Sequence, residues 1–140
     1  MRYLGLDLGT KTLGVAVSDN THTIATSVKT IRFLENDYDS ALKELKDLIC
    51  EFNVEKIILG FPKNMNNTVG ESGERTLLFK EKIEANLNIP VIMQDERLTT
   101  VQATNYMLEA NTSRKKRKEK IDSLAANIIL QTYLDKEKGN

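Results

Sequence analysis

The sequence predicts an α/β fold: a mixed five-stranded sheet, made of a three-stranded antiparallel meander plus two parallel strands, flanked by helices. Two observations predict it. Three strand-like stretches succeed one another up to Phe33, and beyond them segments of helical periodicity alternate with short apolar runs. With 140 residues, 40% of them apolar, the chain has the size of one domain with a substantial core, so a single domain over residues 1–140 is expected.

From Arg2 to Leu8, the apolar Leu4, Leu6 and Leu8 alternate with Gly5, Asp7 and Gly9, the period of a strand with two different faces. "LGVAVSD", Leu13 to Asp19, is a second strand, and the short Gly-Thr-Lys-Thr link makes the pair an antiparallel hairpin. "TIATSVKTIRF", Thr23 to Phe33, is the third. Ala41, Leu42, Leu45, Leu48, Ile49 and Phe52 then recur at helical spacing, which predicts an amphipathic helix over Tyr38 to Asn53. "EKIILGFP" is continuously apolar and stopped by Gly60 and Pro62, as a parallel strand buried on both faces would be. Glu71 to Asn88 reads as a second helix, and "IPVIMQDE" as another buried strand. Thr99 and Gln102 form a capping box that opens a third helix to about Glu109. A basic run follows, and Ile121, Leu124, Ala125, Ile128 and Ile129 define a final helix.

Twenty acids balance twenty bases, so the molecule as a whole carries no field that would attract a polyanion. The distribution is uneven. "RKKRKEK" holds six bases in seven residues, Arg114, Lys115, Lys116, Arg117, Lys118 and Lys120, and such a patch acts within a Debye length of ~10 Å whatever the global sum. It can contact phosphates, or it can be a solvated loop; it contains no aromatic residue, so base stacking there is not supported. The lone Cys50 falls on the apolar stripe of the first helix and is expected in the core, in keeping with a reducing cytosol. His22 is the only histidine, which excludes a site built on several histidines, and it reads as a solvated turn residue. No apolar run approaches the roughly 18 residues of a membrane span, and "MRYLGLDLG" lacks the apolar core of a secretion signal; a cytoplasmic protein without a membrane partner is expected.

Three carboxylates stand out by position. Asp7 points away from the face shared by Leu4, Leu6 and Leu8, and the glycines on either side of it leave space where a metal or a substrate backbone can approach. A strand-end aspartate held by turn hydrogen bonds is the competing reading. Glu96 follows a buried strand directly, at the end where α/β folds place ligands, although Asp95 and Arg97 beside it can simply pair. Asp122 precedes Ala125 and Ala126, small residues that would let the helix approach the sheet closely and leave the acid at the edge of the buried face; otherwise it is a solvated helix residue. Three carboxylates at one sheet end would make a hard-oxygen site suited to Mg²⁺ or Mn²⁺.

"GLDLGTKTLGVAVSD", "IILGFPKNMNNT", "DERLTT" and "KIDSLAANIILQTYL" occur in the order and at the spacing of the YqgF/RuvX family, the Holliday-junction-resolvase-like nucleases of the RNase H superfamily, which the chain resembles from Arg2 to about Leu134. The resemblance implies an RNase H-like fold and a bacterial cytoplasmic nuclease that matures the 5′ end of pre-16S rRNA. It implies further that Asp7, Glu96 and Asp122 are the catalytic, metal-binding acids. Lys11, Arg97 and the loop from Pro62 to Thr68, Asn64 included, would border the substrate, with the basic run as a phosphate contact. Where many members carry Asp-Gly in that loop this chain has Asn66-Asn67, and Asn tolerates the left-handed backbone such a turn uses.

The same chemistry would serve branched DNA. Four-way-junction resolvases generally act as dimers, so a homodimer is an open expectation; nothing in the sequence declares its interface. A phosphate-loop NTPase is excluded because Thr10 separates Gly9 from Lys11 where the motif requires Gly-Lys. The stretch also resembles the first phosphate loop of the sugar-kinase and actin-like ATPases, which need two such domains where this chain has room for one. A non-catalytic RNA-binding module would have no use for acids at all three motif positions.

Overall fold

Alternating leucines make the first strand the centre of the molecule, because each face of it then has its own layer to bury against. The computed structural model describes residues 1–35, 37–61, 70–95 and 114–138, with the backbone alone at 71, 72, 95, 114–123 and 138. Strands β1 (Arg2–Leu8), β2 (Thr12–Ser18) and β3 (Ala25–Arg32) form the antiparallel meander, followed by helix α1 (Tyr38–Phe52), strand β4 (Val54–Phe61), helix α2 (Glu71–Leu87), strand β5 (Val91–Asp95) and helix α3 (Arg114–Lys138). The sheet order is β3-β2-β1-β4-β5, with β4 parallel to β1 and β5 parallel to β4. The mixed five-stranded sheet is thus as expected, while the helix expected from Thr99 to about Glu109 lies outside the described residues.

The two faces bury different layers. Leu4, Leu6 and Leu8 join Leu13, Val15, Ile57 and Leu59 under α1 and α2, whose Leu42, Leu45, Phe79 and Ile83 complete that cluster. Tyr3, Ala16 and Ile58 face the other way, against Ala126, Ile129, Leu130 and Leu134 of α3. Each large side chain so buried contributes on the order of 2 kcal/mol by leaving water. Both helices that lead into parallel strands end on a left-handed asparagine, Asn53 at φ 53° and Asn88 at φ 50°, which reverses the chain without a glycine.

On the α3 face the contact is closer than ordinary side chains allow. A Cβ placed on Gly5 would lie 2.6 Å from the Leu130 Cβ and 2.9 Å from the Ala126 carbonyl oxygen. Ala126 is fully buried here, as its small size anticipated. Two amides then fix the helix over the meander: the Ala25 N–H donates to Gln131 Oε1 (2.9 Å), Gln131 Nε2 donates to the Thr23 carbonyl (2.9 Å), and Asn127 Nδ2 donates to the Ala25 carbonyl (3.1 Å).

Three side-chain expectations need correction or refinement. The sequence places Cys50 in the core, but it is exposed; the buried stripe of α1 runs through Tyr38, Ala41, Leu42, Leu45 and Leu48, nearly opposite Cys50 around the helix. His22 does lie in the β2–β3 turn, at φ 58°, yet it is only half exposed, stacking on the Tyr3 ring with centroids 4.0 Å apart. The final helix begins at Arg114 and not at Ile121, because the apolar periodicity marks only the part of a helix that has a sheet beneath it.

Asp19 organises the same turn. Its carboxylate accepts the Thr21 hydroxyl at 2.6 Å and the Thr23 and Ile24 N–H groups at 2.7 and 3.2 Å, which lowers its pKa from an ordinary 3.8 to about 2. A depressed carboxylate pKa stabilises the fold above the unfolded value and ceases to do so as pH falls through the folded one. The urea midpoint should therefore fall between about pH 4 and about pH 2, and this part of the fall should be smaller in Asp19→Asn, measured by fluorescence across that range. Gly5→Ala should cost about 1–3 kcal/mol in the same assay at neutral pH, because α3 has to lift from β1 to admit the methyl group.

Candidate functional site

Asp7 stands near the C-terminal end of β1, half-buried, on the face that α3 covers. Its neighbours across the sheet are small. Gly14 of β2 pairs with it directly, Thr30 of β3 pairs with Gly14, and on the other side the β1–β4 register, continued one step from Leu6 opposite Leu59, brings Gly60 level with it. Gln94 of β5 pairs with Gly60. The acid is therefore flanked by glycine on both adjacent strands.

This differs from the clearance expected of Gly5 and Gly9. The space at Gly5 is taken by α3, and a Cβ on Gly9 would lie 2.9 Å from Thr12 Oγ1. The side-chain-free neighbours of Asp7 lie across the sheet and not along the strand. A hairpin closed by Leu8 opposite Leu13 already sets Asp7 opposite Gly14, so the loop length held a signal for one of them. Gly60 depends on a parallel pairing that local sequence does not reveal.

Helix α3 runs antiparallel to β1. The Tyr3 hydroxyl meets Glu137 Oε1 at 3.3 Å, Gly5 abuts Ala126 and Leu130, and Asp7 lies two residues, roughly 7 Å, further along the strand. Position 122 lies one turn, roughly 6 Å, before Ala126. The backbone positions of Asp7 and Asp122 therefore advance to the same level, at the end where β1, β4 and β5 all terminate. Glu96 is the residue after the last one of β5; with Arg97 and with Pro62 and Asn64 of the 62–68 loop, it lies outside the described residues. Among the described residues, no three His, Cys, Asp or Glu side chains gather as a metal cluster.

Lys11 is exposed in the β1–β2 turn, where its carbonyl accepts the Phe33 N–H at 2.9 Å. The run from Arg114 to Lys120 forms the first two turns of α3. From Ala126 back to Arg114 the helix advances about 18 Å, so these turns project beyond the end of the sheet on the side of Asp7. The opposite end holds an aromatic cluster that sequence reasoning did not single out: Lys56 Nζ sits 4.7 Å from the Tyr3 ring and 5.7 Å from that of Tyr133. Burial pushes the Tyr3 phenol above its ordinary value, with Lys56 opposing it.

The family model of RuvX, described as Holliday junction resolvase, matches residues 1–136. The chain belongs to the RuvX family. A relative from Bacillus subtilis (strain 168) named "Putative pre-16S rRNA nuclease" is 51% identical over 135 residues, which are 96% of this chain and 98% of the relative. Among solved structures, T. thermophilus RuvC in complex with Holliday junction substrate is similar with TM-score 0.62 at 15% identity, covering 100% of this chain and 97% of that one. The Fowlpox virus resolvase in complex with Holliday junction DNA is similar with TM-score 0.60 at 14% identity, covering 99% of both chains. These two likenesses show the fold, the RNase H-like fold of the resolvases. As a RuvX member the chain is a nuclease, a hydrolase acting on nucleic acid.

Proposed function

We propose that this RuvX chain is a divalent-metal-dependent nuclease that matures the 5′ end of pre-16S rRNA in the cytoplasm, with Asp7, Glu96 and Asp122 as its catalytic acids. The observation that carries the proposal is the common level of positions 7 and 122 on the α3 contact, at the sheet end where β5 delivers the chain to Glu96. Positions 7 and 122 are level on the α3 contact, and Glu96 is the residue that follows β5 in the sequence.

The three acids fit a hard cation. They offer oxygen donors only, and the glycines beside Asp7 add no Cβ to compete for the space around its carboxylate. Asp7, Glu96 and Asp122 would hold Mg²⁺ or Mn²⁺, and three carboxylates suffice for a two-ion site. Bound there, a divalent cation supplies Lewis-acid stabilisation of the charge that develops on the scissile phosphodiester. The protein's own part is to position. Lys11, Arg97, Pro62 and Asn64 border the substrate, and the basic turns of α3 attract its backbone without reading its sequence.

Cleavage of four-way DNA junctions is the second reading, favoured by the description of the family model and by the likeness to RuvC. It requires a homodimer so that two strands are cut symmetrically. The relatives' name favours the RNA substrate.

The purified protein, offered a single-stranded RNA carrying the precursor 5′ extension and a four-way junction in parallel, should cut the RNA with Mg²⁺ or Mn²⁺ and not with EDTA. Asp7→Asn should lower the rate by on the order of 10³-fold or more with unfolding unchanged. Equal rates in variant and parent would overturn the assignment of Asp7, and preferential cutting of the junction would transfer the proposal to the second reading.

A further inference from the structure

β5 is apolar through Val91, Ile92 and Met93 and turns polar at Gln94. Ile92 packs with Ile58 in the smaller apolar layer, on the side of the sheet that α3 covers, so Gln94, two residues on, shares that side. The pairing agrees: Gln94 lies opposite Gly60, and Gly60 is level with Asp7. Asp7 and Gln94 therefore stand two strand spacings, roughly 10 Å, apart, and the residue between them has no side chain. α3 packs chiefly on the three meander strands, to one side of this interval. The Gln94 side chain is half-buried, and no hydrogen bond joins its amide to another described residue. An amide drawn halfway out of water without a protein partner is costly unless water or a ligand completes it.

We propose that Gln94 is a specificity-determining residue of the nuclease site and binds the ribose 2′-hydroxyl of a nucleotide next to the scissile phosphate. The inference rests on the nuclease reading and goes further, because it assigns the choice of sugar to one side chain. A phosphate only accepts hydrogen bonds and is met by cations, whereas a hydroxyl both donates and accepts. The carboxamide matches the hydroxyl: its Oε1 accepts and its Nε2 donates. Being uncharged, it also leaves the charge balance of the neighbouring acids as it is. A substrate whose scissile phosphate lies at Asp7 and whose chain crosses Gly60 brings an adjacent sugar to Gln94. The 2′-hydroxyl is the group by which a protein tells RNA from DNA at a given position. A site that bonds a substrate hydroxyl disfavours the analogue lacking it, since its own polar group is then left unpaired.

The test uses the RNA that carries the precursor 5′ extension, intact and with a single 2′-deoxy nucleotide placed in turn at the two positions on either side of the cut. Each RNA is offered to the parent and to Gln94→Met, in which the side chain keeps its length and loses both hydrogen-bonding atoms. In the parent, one deoxy placement should lower kcat/KM roughly 3- to 10-fold, the worth of one hydrogen bond. Gln94→Met should lower kcat/KM on the intact RNA by a similar factor and lose nothing more on that deoxy RNA, whereas a structural defect would lower both alike. No sensitive position in the parent, or undiminished sensitivity in Gln94→Met, would overturn the proposal. Fluorescence anisotropy reads the same coupling as affinity even where nothing is cut, so a protein that shows it but hydrolyses none of the RNAs defeats the nuclease reading alone.

Discussion

Everything at the candidate site depends on how closely α3 lies on β1. With no Cβ at Gly5, the Leu130 side chain and the Ala126 carbonyl sit in space that any other residue would fill. The contact is tight enough to fix the helix along its own axis as well as above the sheet, because a shift of one turn would replace Ala126 by a larger residue. Once that level is set, position 122 falls beside Asp7 and the basic first turns fall beyond the sheet end. The amides of Asn127 and Gln131 add the rotation, bonding backbone at Thr23 and Ala25 that sheet pairing leaves over.

The parallel half of the sheet supplies the other constraint. α1 and α2 return the chain so that β1, β4 and β5 run the same way and end together. In such sheets the carboxyl ends of the strands are where remote segments meet, and an acid at the end of one strand can share a ligand with residues far away in sequence. The left-handed Asn53 and Asn88 make these returns short, with one residue between α1 and β4 and three between α2 and β5. The larger apolar layer lies under α1 and α2 and the smaller one under α3, while the sheet neighbours of Asp7 on the α3 face are glycine, threonine and glutamine in place of bulk.

Much of this was legible in the sequence, for a physical reason in each case. The period of two in Leu4, Leu6 and Leu8 is local, so β1 and the outward turn of Asp7 could be read directly. The small Ala126 announced a close helix–sheet approach. What could not be read depended on partners. Gly5 looked like clearance beside an acid and proved to be the seat of α3, since the residue that fills the space comes from more than a hundred positions away. Gly60 acquires its place beside Asp7 only through the β1–β4 register. The basic run, open in the sequence between a phosphate contact and a solvated loop, is helical in backbone, and α3 needs no apolar stripe where no sheet lies beneath it. Cys50 is a different case: it neighbours Ile49 in sequence, but at 3.6 residues per turn it lies nearly opposite the buried stripe of α1, so its exposure follows from the same periodicity.

The central claim is that Asp7 and Asp122, remote in sequence and level on the α3 contact, hold the same cation. Titrating Mn²⁺ into the parent, Asp7→Asn and Asp122→Asn, with free Mn²⁺ read by electron paramagnetic resonance, tests it without any assumption about the substrate. Shared coordination predicts that each single substitution weakens Mn²⁺ binding at least about tenfold while the fold persists. Parental affinity in Asp122→Asn alongside lost binding in Asp7→Asn would contradict it.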